Sequence, residues 1–308
     1  MEPTRSADPE YGVAVEIEPL LRRVLAPNPS PMTYTGTNTY LLGERGIAVI
    51  DPGPESRDHL ESILGALTPG QYVSHIFVTH AHLDHSPLAR ALSEFTDAPV
   101  YGFGPAHAGR SKVMTRLVDE GFQSGGEGID TAFVPDRRVA DGDVIQGDGW
   151  RLRIIHTPGH LGNHICLGWD TCCFTADHVM GWASSLVSPP DGDLTDFMTS
   201  CVRLKARQWR RFFPGHGAPI DAPNDRIDWL VSHRKRRESD LLTALAKGPA
   251  TAEELTQTVY HDTPAALHAA AERNVLAHLI DLCGKTRVRA VGKLTADAVF
   301  EVIPAGTE

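Results

Sequence analysis

Histidine and aspartate gather where short apolar runs of this chain end. Directly behind Ile76-Phe77-Val78 stand His80, His82, Asp84 and His85 in the stretch VTHAHLDHS. Residues two apart at a strand end project to the same side, so His80 and His82 can bind one ion together. Asp84 and His85 follow where the chain turns into the next helix and point elsewhere in the same pocket, which suits a second ion. Zinc takes imidazole nitrogen and carboxylate oxygen readily, and a catalytic zinc keeps one position for water. A lone histidine on a loop is usually satisfied by solvent; four possible ligands at this spacing behind an apolar strand are not explained that way. Three more strand ends carry a ligand type: His160 in HTPGH, Asp177 in FTADH and His216 in FFPGHG. Each of the three runs lies beside glycine, proline or both, or closes a strand, as a sharp turn into a site requires.

The elements that must position these groups alternate in kind. GIAVIDPGP (46–54) reads as a buried strand ending in a turn, followed by a helix from Ser56 to Leu67. HIFVTH is the next strand, and a helix from Pro87 to Phe95 follows the ligand cluster. APVYGF, WRLRIIHT, HICLGW and CCFTAD are further strands, and the glycine-rich, acidic stretch Glu120 to Asp130 reads as a mobile loop. Strands whose ends share polar groups at one edge imply a layered α/β fold with a site along that edge. After Asp221 the pattern changes. Asn224 to Lys247 reads as one long helix with Ile227, Leu230, Val231, Leu241, Leu242 and Leu245 on a stripe, and an Arg234–Glu238 pair at i,i+4 is expected on it. Thr251 and Glu254 form a capping-box pattern, Pro264 opens another helix carrying Leu276, Leu279, Ile280 and Cys283, and RVRAVG with AVFEVI suggests a terminal hairpin. That order is the order of a winged-helix module. The expected organisation is a disordered lead-in over 1–10, a catalytic α/β domain over 11–222 and a winged-helix-like domain over 223–308.

Composition narrows the setting. The 308 residues are 41% apolar and 22% charged, as in soluble globular proteins. No apolar run approaches the roughly 20 residues of a membrane-spanning helix, and the first ten residues have no apolar core of a signal peptide. Five cysteines without C-x-x-C spacing suggest neither a disulfide framework nor a structural zinc site, and a cytoplasmic location is expected. A formal charge of −10 offers no general attraction to a polyanion, so nucleic-acid binding would need a local basic patch. The run Arg234-Lys235-Arg236-Arg237 is the candidate for phosphate contact.

Thr35–Gly43 (TGTNTYLLG), IDPGP, THAHLDH, HTPGH, FTADH and PGHG occur in an order that resembles the metallo-β-lactamase-fold superfamily. The resemblance covers nearly the whole chain and implies an αββα four-layer sandwich with two metals at one edge. It implies that His80, His82 and His160 hold the first metal, that Asp84, His85 and His216 hold the second, and that Asp177 bridges them. Two zinc ions per chain are expected, with manganese or iron as alternatives. The C-terminal region is similar to that of the β-lactamase-like protein 2 group, whose mitochondrial animal member is an endoribonuclease on single-stranded RNA. The chain departs from many relatives at Ser86-Pro87 and at Leu161, where glycines and a Thr or Ser are common. Cys or Ser would stand at Asp177 in a true metallo-β-lactamase, and Glu at His82 in a flavodiiron oxidoreductase.

These implications give a mechanism. Water between two cations loses a proton near neutral pH, and Asp84, the expected catalytic residue, holds the hydroxide that attacks a phosphodiester, with single-stranded RNA the leading substrate. A glyoxalase-II-like thioesterase or ester hydrolase shares all seven ligands and is the alternative; a non-enzymatic winged-helix binding protein is the remote one. His178, next to Asp177, is a candidate for leaving-group protonation or for support of a ligand. His156 and His164 match no ligand position, His233, His261, His268 and His278 are expected to be structural or solvated, and Cys172-Cys173 is expected in the core. The sequence is silent on oligomeric state.

Overall fold

A computed structural model describes residues 10–125 and 128–304. The expected lead-in therefore lies, but for Glu10, outside the described residues. The first sheet has seven strands in chain order: β1 (Ala14–Glu18), β2 (Leu21–Leu25), β3 (Asn38–Leu42), β4 (Gly46–Ile50), β5 (Tyr72–Phe77), β6 (Val100–Gly102) and β7 (Arg137–Arg138). The second has five, in the order β12-β11-β10-β9-β8: β8 (Val144–Gly147), β9 (Trp150–His156), β10 (Ile165–Trp169), β11 (Cys172–Ala176) and β12 (Arg211–Pro214). Leu42, Ile50 and Phe77 of the first sheet meet Leu152, Leu167 and Phe213 of the second in a core between the sheets. The outer faces are covered by helices. Helices α1 (Arg57–Gly65) and α2 (Leu88–Thr96) place Ile63 and Leu92 against Val49 and Ile76. After α3 (Lys112–Asp119), α4 (Leu194–Lys205) and α5 (Pro223–Leu245) cover the second sheet through Phe197, Cys201, Ile227 and Leu230. Helix, sheet, sheet, helix is the expected αββα arrangement.

Local chemistry explains most boundaries. Ser56 caps α1 by accepting from the His59 amide at 3.2 Å. Asp193 does the same for α4 and Thr251 with Glu254 forms the full capping box of α6 (Ala252–Val259). Pro264 leads into a short 3-10 turn over Ala265–Leu267, from which α7 (His268–Gly284) continues, and β13 (Val288–Ala290) pairs antiparallel with β14 (Phe300–Val302). Among the described residues no helix is long and apolar enough to cross a membrane.

One expectation is corrected. Arg234 makes no pair with Glu238: it lies seven residues from both Ile227 and Leu241, on the buried face of α5, and is only 1% exposed. Glu238 instead meets Lys285 at 2.9 Å. The glycine-rich loop is anchored on both flanks. Phe122 is buried with Met114 and Leu117 of α3 against Leu276 and Leu279 of α7, so the C-terminal core continues into the preceding domain. Asp130 accepts from Ser86 Oγ at 2.6 Å, and the Leu83 amide donates to the Gly128 carbonyl. Gly126 and Glu127 lie outside the described residues.

Candidate metal centre

Strands β4 and β5 run parallel, as do β11 and β12, and the turns after their C-terminal ends converge. The turn after β5 supplies His80, His82, Asp84 and His85, that after β11 Asp177, and that after β12 His216; the turn after β9 adds His160. All seven expected ligands thus meet. His80, His82, His160 and Asp177 form one group and Asp84, His85, Asp177 and His216 another, with the candidate ligand atoms of each within 4.8 Å of one another. Asp177 belongs to both. Its Oδ2 lies 3.7 Å from His160 Nε2 and 3.3 Å from His216 Nε2, and its Oδ1 lies 3.4 Å from His85 Nε2. Asp84 Oδ2 lies 3.2 Å from His216 Nε2, and this side chain is 26% exposed towards the cavity above.

The back of each ring explains why the front is free. Thr79 Oγ1 donates to Asp51 Oδ2 at 2.8 Å, so the 3.0 Å contact with His80 Nδ1 is an Nδ1–H donation and Nε2 keeps its lone pair inward. His85 Nδ1 donates to Asp51 Oδ2 at 3.0 Å, His160 Nδ1 to the Leu186 carbonyl at 2.7 Å and His216 Nδ1 to the Gly36 carbonyl at 3.1 Å. His82 presents Nδ1 instead, 2.9 Å from His80 Nε2 and 3.1 Å from His160 Nε2. Such crowding of lone pairs is repulsive unless a cation sits among them.

Electrostatics agree with that reading. Burial pushes His82 down to about 3 and His80 well below its usual range. Burial also opposes the charging of His85 and His216, but the carboxylates of Asp84 and Asp177 outweigh it: His85 is held well above its usual value and His216 is raised to about 9. Protons there do what a metal charge would do. Asp177 Oδ1 is buried without a hydrogen-bond partner, as a metal-binding oxygen would be. Gly215 passes so close that a Cβ would fall 2.4 Å from Asp177 Oδ1 and 2.8 Å from His85 Cε1, which is why PGHG begins as it does. The residues fit a pair of metal ions.

Other expected site residues fare differently. His178 is fully buried with its ring turned towards α4, 4.5 Å from the Phe197 ring and with Nε2 3.6 Å from Cys201 Sγ, so it does not reach a leaving group. Of the basic run, Arg234 is buried and Lys235 and Arg236 are exposed away from the cavity; Arg237 alone lines it, its guanidinium 4.5 Å from the Tyr260 ring centre. A phosphate contact by Arg234 is excluded by its burial. His233, expected to be structural or solvated, also lines the cavity, stacked on Trp229. Leu161 packs with Val78 and Ala81 in the core, so the departure from Thr or Ser there is an apolar contact. Asp51 was missed as a supporting residue, although IDPGP shows the same signal as the ligands, a carboxylate closing an apolar strand.

The Metallo-beta-lactamase superfamily pattern matches residues 32–245, and that of the Beta-lactamase associated winged helix domain matches 251–297. Over 272 residues the chain is 31% identical to the Beta-lactamase-like protein 2 homolog of Caenorhabditis elegans, covering 85% of this chain and 83% of that one. It is 28% identical over 265 residues to the Atrochrysone carboxyl ACP thioesterase of Aspergillus fumigatus, covering 81% and 76% respectively. The crystal structure of a beta-lactamase domain protein from Burkholderia ambifaria superposes with a TM-score of 0.80 at 22% identity, over 98% of this chain and 96% of that one. With the fold, the strand-end histidines and the winged-helix segment in agreement, the chain belongs to the metallo-β-lactamase superfamily of hydrolases.

Proposed function

We propose that the protein is a dinuclear zinc hydrolase of acyl thioesters. The carrying observation is the cavity over the metal centre. It has a volume of about 720 Å³, with His82, Asp84, His160 and Asp177 at its floor. Its walls are largely apolar, including Met32, Ile129, Met180, Trp182, Leu186 and Leu267. A single-stranded RNA needs a basic track and stacking platforms along its path; an acyl chain needs an enclosed apolar wall beside the reacting carbonyl. The thioester alternative therefore moves ahead of the phosphodiester reading drawn from the sequence, and a relative named an acyl-carrier-protein thioesterase supports that order.

His80, His82, His160 and Asp177 would hold one zinc, and Asp84, His85, His216 and Asp177 the other. A bound pair supplies Lewis acidity, activating water and stabilising negative charge at the carbonyl. Asp84, open to the cavity, accepts a hydrogen bond from the attacking water and aims it. The apolar walls seat the acyl chain and exclude competing water. Arg237 and Arg273 line the same cavity and would meet the phosphate of a pantetheine-bearing carrier. The leaving group also favours a thioester. His233 is pushed down to about 4 by burial and by neighbouring arginines, so the histidine at the rim is neutral near pH 7 and is no acid. A thiolate, with a parent pKa of about 8.5, departs without one more readily than an alkoxide, which would need an acid or a metal ion at the leaving oxygen. All five cysteines are free, in keeping with a cytoplasmic setting.

The test is a panel on zinc-loaded protein: acyl-coenzyme A and acyl-carrier-protein thioesters against RNA oligomers and bis(p-nitrophenyl) phosphate. Turnover of thioesters with longer acyl chains preferred is the expected result. Cleavage of RNA with thioesters left intact would return the phosphodiester reading to first place.

A further inference from the structure

The segment from Met180 to Val187 walls the cavity, and it also carries the Leu186 carbonyl that turns His160 towards the metal centre. Both flanks of that carbonyl are tied to the C-terminal helices. The Ser185 carbonyl accepts from Arg234 Nη2 on α5. The Val187 amide donates at 3.1 Å to Asn274 Oδ1 on α7, and Arg234 Nη1 donates to that same oxygen at 2.8 Å. Upstream, Arg226 of α5 donates at 2.7 Å to the carbonyls of both Met180 and Ala183. Arg234 is 1% exposed, its guanidinium 5.3 Å from the Phe197 ring centre, and neither of its hydrogen-bond acceptors is a carboxylate. A buried cation without a carboxylate is costly, and here its two hydrogen bonds and the Phe197 ring face are what offset that cost.

We propose that Arg234 and Asn274 are positioning residues for the metal centre. Through the Leu186 carbonyl they fix the tautomer and aim of His160, so helices α5 and α7 together complete the first half-site. A donated Nδ1–H leaves the Nε2 lone pair of His160 directed at the position shared with His82 Nδ1 and Asp177 Oδ2. The second half-site has no such dependence, because His85 rests on Asp51 and His216 on Gly36, both in the N-terminal sheet region. The inference rests on the metal-centre reading and is indifferent to whether the substrate is a thioester.

The experiment is a zinc titration of the metal-free full-length chain against a chromophoric chelator, with the visible spectrum of the cobalt-loaded protein as a second readout. Wild type takes two equivalents. In Asn274→Leu, which keeps the size and removes the acceptor, one equivalent weakens by about tenfold, the low end for loss of a partner behind a metal-binding histidine. The other equivalent keeps its affinity, the cobalt spectrum of one site changes, and Asn274→Asp, which restores the oxygen, recovers both. Arg234→Lys retains the buried cation, loses one branch of the fork and gives the same selective weakening, so a failure of Asn274→Leu to fold does not remove the test. Two wild-type affinities in Arg234→Lys, or an equal weakening of both equivalents, would overturn the proposal. A wild-type protein that binds no metal overturns the metal-centre reading itself, a separate outcome.

Discussion

The two halves of the metal centre use the same imidazole chemistry and differ in one of the elements that hold them. In the half built from Asp84, His85 and His216, the ring backs rest on Asp51 and on the Gly36 carbonyl, next to strands of the first sheet. In the other half, His80 rests on Thr79, while His160 rests on a carbonyl whose peptide is clasped by α5 and α7. One half is therefore supported by residues next to the first sheet, and the other borrows its last support from α5 and α7.

The largest effect that separates the halves comes from the carboxylates. Asp177→Ala removes a ligand from both groups and should leave at most one metal equivalent, with turnover near background. Asp84→Ala removes a ligand from one half and the group that aims water. It should lower kcat by about 10²- to 10⁴-fold, the range for a positioned general base, while the first half keeps its metal. Elemental analysis beside kcat checks both. Full metal content in Asp177→Ala would contradict a bridging role.

Asp51→Asn tests the first-sheet side alone. The amide keeps the shape but replaces the carboxylate that His85 Nδ1 and Thr79 both address. Metal affinity of the second half should fall by about 10- to 100-fold, as is usual when the carboxylate behind a ligating histidine is lost. His80 depends on the same carboxylate only through Thr79 and should lose less. Equal losses in both halves would mean that the support is not divided as the geometry indicates.

The legible parts of this structure are those in which one short segment carries both the signal and its cause. VTHAHLDHS joins an apolar strand to its ligands, and FTADH and PGHG repeat that grammar, so the candidate ligands and a layered α/β fold could be anticipated, while the αββα arrangement and the division of the ligands between two metals came from the family resemblance. Asp51 obeys the same grammar but was passed over, because its partner His85 lies on the next strand turn. Arg234 was misread for a different reason. In a basic run a cation looks solvated, and only the seven-residue spacing to Ile227 and Leu241 shows that it faces inward. The cavity could not be read at all, since its walls come from residues near 32, 129, 180–188 and 260–274, which no local pattern connects.

Arg237→Ala asks what α5 contributes to the substrate rather than to the metal. Its guanidinium lines the cavity, lies over Tyr260, donates to the Val259 carbonyl at 3.0 Å and meets Asp240 Oδ2 at 3.5 Å. Removing it should raise KM for a coenzyme A thioester about tenfold, roughly 1.4 kcal/mol of lost charge-assisted binding, with kcat and metal content unchanged. A fall in kcat at unchanged KM would place Arg237 with the reacting atoms instead.

The smallest effect concerns stability and comes from His59, behind the half supported by the first sheet. Thr39 Oγ1 donates to the Asp51 carbonyl at 2.8 Å, so His59 Nε2 donates to Thr39 Oγ1 at 2.8 Å, and His59 Nδ1 is left buried without a partner. Burial pushes the imidazole down to about 4. Between about pH 6.5, where a solvated histidine titrates, and pH 4 the unfolded chain holds more protons at this site than the folded one. Stability from this residue is therefore intact above pH 6.5 and falls as the pH drops through that window. The loss approaches roughly 2 kcal/mol by pH 5, or a few degrees in Tm for a chain of this size. In His59→Gln the amide can still donate to Thr39 and does not titrate, so its Tm should decline less than that of wild type between pH 7 and 5, both proteins being measured free of metal. Parallel declines would show that His59 is already charged or already exposed in the fold, and that the first-sheet support is looser than its hydrogen bonds indicate.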